Sequence, residues 1–170
     1  KKVIIMYLKR LELQGFKSFA DKTVLEFMPG ITTVIGPNGS GKSNISDAIR
    51  WILGEQSMKS LRGNKTQDII FAGTQNRKSL GFAEASLVFD NTDGTLPIEF
   101  SEVTITRKIY RSGETGYYIN KAPCRLKDVI ELCGEVDGCL TGGQPMKEYE
   151  FRIRRKLKKP EGYMKTIKSN

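Results

Sequence analysis

The sequence predicts an α/β fold, with antiparallel β-hairpins beside a central strand–loop–helix unit, on three observations. From Ile31 to Ile52 a short apolar, β-branched run gives way to a Gly-rich turn, and then to Ile45, Ala48, Ile49 and Ile52 at helical spacing. Residues 82–90 and 103–110 alternate apolar with polar side chains, and each run ends in a Gly-containing turn. The length, 170 residues, suits one domain with a respectable core. With 38% hydrophobic and 28% charged residues the chain is on the polar side for a compact globule, so part of it is expected to be solvated.

The elements follow in order. Residues 1–6 read either as an extension before a natural start at Met6 or as a lengthening of the first strand. Tyr7 to Gln14 sets Leu11 and Leu13 against Arg10 and Glu12, the alternation of a half-buried strand, and Gly15 to Phe19 interrupts it. Thr23 to Phe27 alternates again before a Pro29-Gly30 turn. Ile31 to Ile35 is then expected as a buried strand, and Ser43 to about Leu53 as a helix that stops near Gly54. Trp51 lies one position off the apolar face and reads as core filler. Asp68 to Phe71 is a short apolar element and Gly73 to Gly81 a loop. Phe82 to Asp90 is a strand with Ala83, Ala85, Leu87 and Phe89 on one face. Val103 to Tyr110 and Tyr117 to Asn120 complete the hairpins, and Leu126, Val129 and Ile130 mark a final helix.

Gly36-Pro37-Asn38-Gly39-Ser40-Gly41-Lys42-Ser43 fits G-x-x-x-x-G-K-[ST], and it lies between a predicted strand and a predicted helix, as that motif requires. Inward-turned backbone N–H groups and the positive end of the helix make a nest for phosphate oxygens. Side chains at the glycines would obstruct that approach or disfavour the backbone angles it needs. Lys42 is the point charge for the β and γ phosphates, and Ser43 offers Mg²⁺ a hard oxygen ligand. The predicted ligand is therefore a nucleoside triphosphate.

The net charge of +9 favours polyanionic partners, with a merely soluble basic surface as the alternative. The chain has no His, which excludes Ser/His and Cys/His nucleophiles and His-based metal sites. Cys124, Cys133 and Cys139 form no C-x-x-C pair and read as reduced thiols. No stretch approaches the length of a membrane span, so a cytoplasmic location with no membrane partner is expected.

These residues carry a family resemblance. Gly36 through Asn44, preceded by Leu13-Gln14-Gly15-Phe16-Lys17-Ser18-Phe19 and followed by Asp47-Ala48-Ile49-Arg50-Trp51-Ile52-Leu53-Gly54-Glu55-Gln56, closely resembles the N-terminal head segment of bacterial SMC (structural maintenance of chromosomes) proteins. The likeness continues through Ser60-Leu61-Arg62-Gly63, Asp68 to Gly73, Thr106 to Glu114 and Asn120 to Asp128, about residues 7–132 in all. It implies a P-loop NTPase fold, the N-terminal lobe of an ABC-type ATPase head, with the hairpins beside the nucleotide-binding sheet. By the same resemblance Pro37 to Asn44 hold ATP and Mg²⁺, and Lys17 and Ser18 approach the nucleotide. Arg62 matches an arginine linked in the family to sensing DNA, with an unpaired surface arginine as the alternative. The implied partners are a C-terminal head half, a second SMC chain, kleisin-type accessory subunits and DNA. The implied role is chromosome condensation, organisation and segregation at the nucleoid.

The pattern breaks after Leu132, so residues 1–132 are expected as the half-head and 133–170 as a divergent Gly-rich loop and basic tail. Gln144 is the nearest candidate for the family's Mg²⁺-sensing glutamine, although its flanks differ. Leu140-Thr141-Gly142-Gly143-Gln144 is similar to an ABC signature but precedes Pro145 rather than a helix. No apolar strand ends in an Asp-Glu pair, Asp68 and Glu84 included, so no catalytic residue is assigned. ATP hydrolysis by the chain alone is expected to be negligible. The alternatives are a RecN- or RecF-like repair ATPase, which shares Pro37 to Ser43, and a non-catalytic DNA- or protein-binding fragment.

Overall fold

The computed structural model describes residues 7–28, 32–94 and 96–134. Strands β1 (Tyr7–Gln14), β2 (Thr23–Glu26), β3 (Phe82–Asp90), β4 (Glu102–Tyr110), β5 (Thr115–Ile119) and β6 (Ala122–Cys124) form one antiparallel sheet in the order β2-β1-β3-β4-β5-β6. Helix α1 (Lys42–Ile52) packs on one face, and α2 (Leu126–Gly134) follows the β6 edge.

Alternation decides which side chains meet the helix. Leu11 and Leu13 of β1 stand opposite Leu87 and Ala85 of β3, and Leu87 and Phe89 stand opposite Ile105 and Val103 of β4. With Ala48, Ile49 and Ile52 of α1 they make a single core, which Leu61 and Ile69 extend. A one-residue slip in any pair would turn this set to the other face, so burial fixes the register. That other face carries polar cross-strand pairs: Glu84 with Lys108 at 2.6 Å, and the hydroxyls of Ser86 and Thr106 at 2.7 Å.

Arg107 breaks the pattern of β4, because an inward position holds a cation. It lies between the rings of Trp51 and Tyr117, 4.7 and 4.8 Å from their centroids, and its Nη1 donates to the carbonyls of Trp51 and Glu55. The Trp51 carbonyl lies in the last turn of α1 and the Glu55 carbonyl just beyond it, at the end of a helix that favours positive charge. The arginine therefore fastens the loop-bearing helix to β4.

On the solvated face Arg10 donates to Glu12 and Glu102, and Lys9 also donates to Glu102. The Arg10 hydrogen bond, then that of Lys9, holds the Glu102 carboxyl below the usual carboxylate range, and Arg10 does the same for Glu12. A carboxyl depressed on folding stabilises above its unfolded pKa, about 4.3 for Glu, and that contribution is lost as pH falls through the folded value. Thermal unfolding followed from pH 5 to pH 2 should show this acid limb, and Arg10→Gln should flatten it modestly, since the pairs are partly solvated.

One expectation is corrected. The described part of the Ile31–Ile35 run, with the residues up to Pro37, forms no strand, and Ile35 is 88% exposed. A β-branched run becomes a strand only beside a neighbour offering its backbone groups, and no described strand flanks this one. The hairpins share one sheet with β1 and β2, and every strand pair among the described residues is antiparallel. The three-residue strand β6 carries Pro123 and was not legible as a strand; an edge strand tolerates proline because its outer side needs no N–H. Trp51 is core filler as expected, in contact with Phe16 at 5.4 Å between ring centroids. Met6, the Pro29-Gly30 turn, Cys139, Gln144 and the basic run beyond residue 150 lie outside the described residues. Cys124 is a free thiol, and no described helix is long and apolar enough to cross a membrane.

Candidate functional site

The site is built where the Gly-rich loop meets α1. Gly41, the residue before the helix, has φ +86°, and a Cβ there would stand 2.7 Å from Ser18 Oγ. Glycine is needed for both reasons, and its absence of a side chain lets the Ser18 loop close on the helix start. A Cβ at Gly36 would likewise lie 2.8 Å from Ser40 Oγ. The start of α1 has no side-chain cap and no acidic residue in its first turn. Its positive end is thereby left for an external anion rather than satisfied from within. Lys42 Nζ donates to the carbonyls of Gly36 and Pro37 at 2.6 Å each, which places the ammonium inside the turn of the loop.

Two further loops converge on the same helix turn. The one after β1 is held by a tight bridge between Phe16 and Phe19, by Lys17 N–H to the Ile69 carbonyl, and by Phe71 N–H to the Gly15 carbonyl. It presents Ser18, whose Oγ accepts from Asn44 Nδ2 at 2.8 Å. The loop after α1 brings Arg62, whose Nη2 donates to Asn44 Oδ1 at 3.1 Å. Asn44, next to Ser43, thus touches both loops. The positions expected from the sequence, Lys17, Ser18, Gly36 to Asn44 and Arg62, are gathered around one helix start. Arg62 is not an unpaired surface arginine.

The residue that sequence reasoning missed is Asp47. Its carboxylate is fully buried and receives Lys17 at 2.5 Å, Arg62 at 2.6 Å and Arg50 at 2.8 Å. Three cations on one carboxylate leave an excess of positive charge beside the loop, with Lys42 adding to it, and such a field favours a polyanion. A signal existed, because Asn44, Asp47 and Trp51 form a stripe at three- and four-residue spacing, a second covered face of α1. Among the described residues no group of three His, Cys, Asp or Glu could hold a metal ion. Asp68 accepts the N–H groups of Asn64 and Lys65, and Glu84 pairs with Lys108 on the opposite face of the sheet.

The model of the RecF/RecN/SMC N terminal domain family matches residues 7–144. The chain belongs to this family. Over 127 residues it is 62% identical to the chromosome partition protein Smc of Clostridium kluyveri and 61% identical to that of Bacillus subtilis. Each alignment covers 75% of the chain and 11% of the relative, so the chain spans about a ninth of these proteins. Among solved structures, the Smc head domain of Pyrococcus furiosus with an extended coiled coil, bound to the C-terminal domain of ScpA, superposes with a TM-score of 0.75 at 38% identity. That superposition covers 78% of the chain and 33% of the neighbour. A structure from work on ATP-driven dimerization and DNA stimulated activation of SMC ATPases matches with a TM-score of 0.73 at 37% identity, over 76% of the chain and 79% of its own length. RecF bound to ATP shares the fold at 24% identity and a TM-score of 0.55. The family's fold, an SMC-type ATPase head segment, is therefore the fold of this chain.

Proposed function

We propose that the chain is the ATP-binding N-terminal segment of an SMC-type head that acts in chromosome condensation, organisation and segregation. The observation that supports this most directly is the uncapped start of α1 behind Gly41, with Lys42 inside the loop and Ser18, Asn44 and Arg62 around it. In this reading loop amides and Lys42 neutralise the β and γ phosphates, Ser43 supplies a hydroxyl to Mg²⁺, and Lys17 and Arg62 add positive charge at the rim. Residues 1–132 form the half-head and 133–170 a divergent tail carrying Gln144. The partners are a C-terminal head half that supplies the hydrolytic carboxylates, a second SMC chain, a kleisin-type subunit of the ScpA kind and DNA. The SMC reading is preferred to the RecN or RecF one because relatives about 60% identical are Smc proteins, whereas RecF shares the fold alone.

The test is calorimetry with Mg²⁺-ATP on the chain alone and after reconstitution with a matching C-terminal SMC head half, with Lys42→Ala as control. Binding and turnover are expected in the reconstituted pair, with Lys42→Ala weakening nucleotide binding by about a hundredfold, the loss of a desolvated charge on the phosphates. Absence of ATP binding in both arrangements would refute the proposal.

A further inference from the structure

We infer that Asp47 is a positioning residue, one that docks the Lys17–Ser18 loop and the Arg62 loop on the first turns of α1 and so sets nucleotide affinity through Arg62. The inference rests on the nucleotide-binding reading of the loop and assigns a role to a residue outside the motif. Three observations carry it. The carboxylate is wholly buried, yet the cations it holds come from two separate loops as well as from its own helix. Lys17 and Arg62, the two loop residues it holds, are both in the left-handed backbone region, at φ +48° and +55°. That conformation costs a side-chain-bearing residue of the order of 1–3 kcal/mol, and it persists only where the surroundings over-determine it. The contact common to both residues is one carboxylate: Oδ2 accepts Lys17 Nζ, Arg62 Nε at 3.1 Å and Arg62 Nη2 at 2.6 Å.

The geometry also shows what is held ready. Arg62 spends Nε and Nη2 on Asp47 and Asn44, and Nη1 donates to no described residue. Its side chain is 48% exposed, so the fork is anchored on one edge while the rest of the guanidinium faces solvent beside the helix start. A planar guanidinium fixed in this way has little rotamer freedom left to lose on meeting a phosphate. Lys17, by contrast, is 11% exposed and also donates to the carbonyl of Leu61, next to Arg62. It therefore ties the two loops to each other as well as to α1.

Two measurements on the full chain test this. Hydrogen exchange without nucleotide should be about tenfold faster in Asp47→Asn over residues 15–19 and 58–64 and unchanged over β3 and β4. Mg²⁺-ATP affinity should fall about tenfold in Asp47→Asn, but by less than about twofold when the same change is made in Arg62→Ala, because contacting groups are coupled. A merely structural Asp47 would weaken binding equally in both backgrounds, and that result, or unchanged exchange in both loops, overturns the inference while leaving nucleotide binding intact. If the wild-type chain, alone and reconstituted, does not bind Mg²⁺-ATP and Lys42→Ala behaves identically, the nucleotide reading falls and this inference with it. Should the uncompensated cations prevent Asp47→Asn from folding, Asp47→Glu keeps the charge and displaces it by one methylene. The same loss of protection and the same dependence on Arg62 are expected there, and their absence overturns the inference.

Discussion

Gly15→Ala is expected to lower the stability of the chain by about 3 kcal/mol. Gly15 has φ +65°, and a Cβ there would run into the backbone carbonyl of Phe82, which cannot rotate away as a side-chain tip could. The left-handed angle costs an L-residue about 1–2 kcal/mol and forced overpacking about 1–3 kcal/mol. Against a total of about 5–15 kcal/mol for a typical domain, that loss is severe. It also falls where Phe71 N–H meets the Gly15 carbonyl, so the loop that carries Lys17 and Ser18 should loosen first. Urea unfolding of Gly15→Ala beside Gly113→Ala separates the causes. Gly113 shares the positive φ, at +93°, but nothing lies within 4 Å of its would-be Cβ. Equal losses in the two variants would show that the collision with Phe82 contributes nothing.

Trp51→Ala should cost about 3–5 kcal/mol, the range for removing a large aromatic side chain from a packed core. Trp51 is 1% exposed, tilts against Phe16, and forms one wall of the Arg107 slot. Truncation opens a cavity and leaves the Arg107 guanidinium with one ring instead of two. Trp51→Phe should recover most of the loss, because the indole Nε1 has no hydrogen-bond partner among the described residues and ring area is what is at stake. Thermal unfolding of the two variants compared with the wild type measures both effects; a phenylalanine variant as unstable as the alanine one would mean that the indole has a polar role.

What the sequence made legible follows from how local each signal is. The Gly-rich loop before α1 was readable because Gly36, Gly41, Lys42 and Ser43 fall at a fixed spacing, and strands β3 and β4 because one face is buried and the other solvated. The run from Ile31 to Ile35 misled because β-branching records a preference for strand without saying who pairs with it. Arg107 was passed over because alternation counts apolar residues, whereas this inward position holds a cation matched to the end of a helix. Asp47 was hard to read for a similar reason: its partners Lys17 and Arg62 are 30 and 15 residues away, and the stripe of Asn44, Asp47 and Trp51 marks a covered face of α1 without saying what covers it. Chemistry carried by contiguous residues is written in the sequence order, whereas chemistry assembled from several loops appears only once the chain has folded.

The strand order has a consequence for how the molecule comes together in time. Strands β3, β4, β5 and β6 are sequential neighbours, joined by short turns after β4 and β5 and by residues 91–101 after β3, so each closes a modest loop and loses little chain entropy in doing so. Strand β1, by contrast, must find β3 across an intervening stretch that includes α1 and the whole Gly-rich loop before it. Contacts between residues distant in sequence form slowly. The meander from Phe82 to Cys124 is thus the natural early structure during refolding, and the proposed nucleotide site, which needs the β1 loop to close over α1, is among the last parts to assemble.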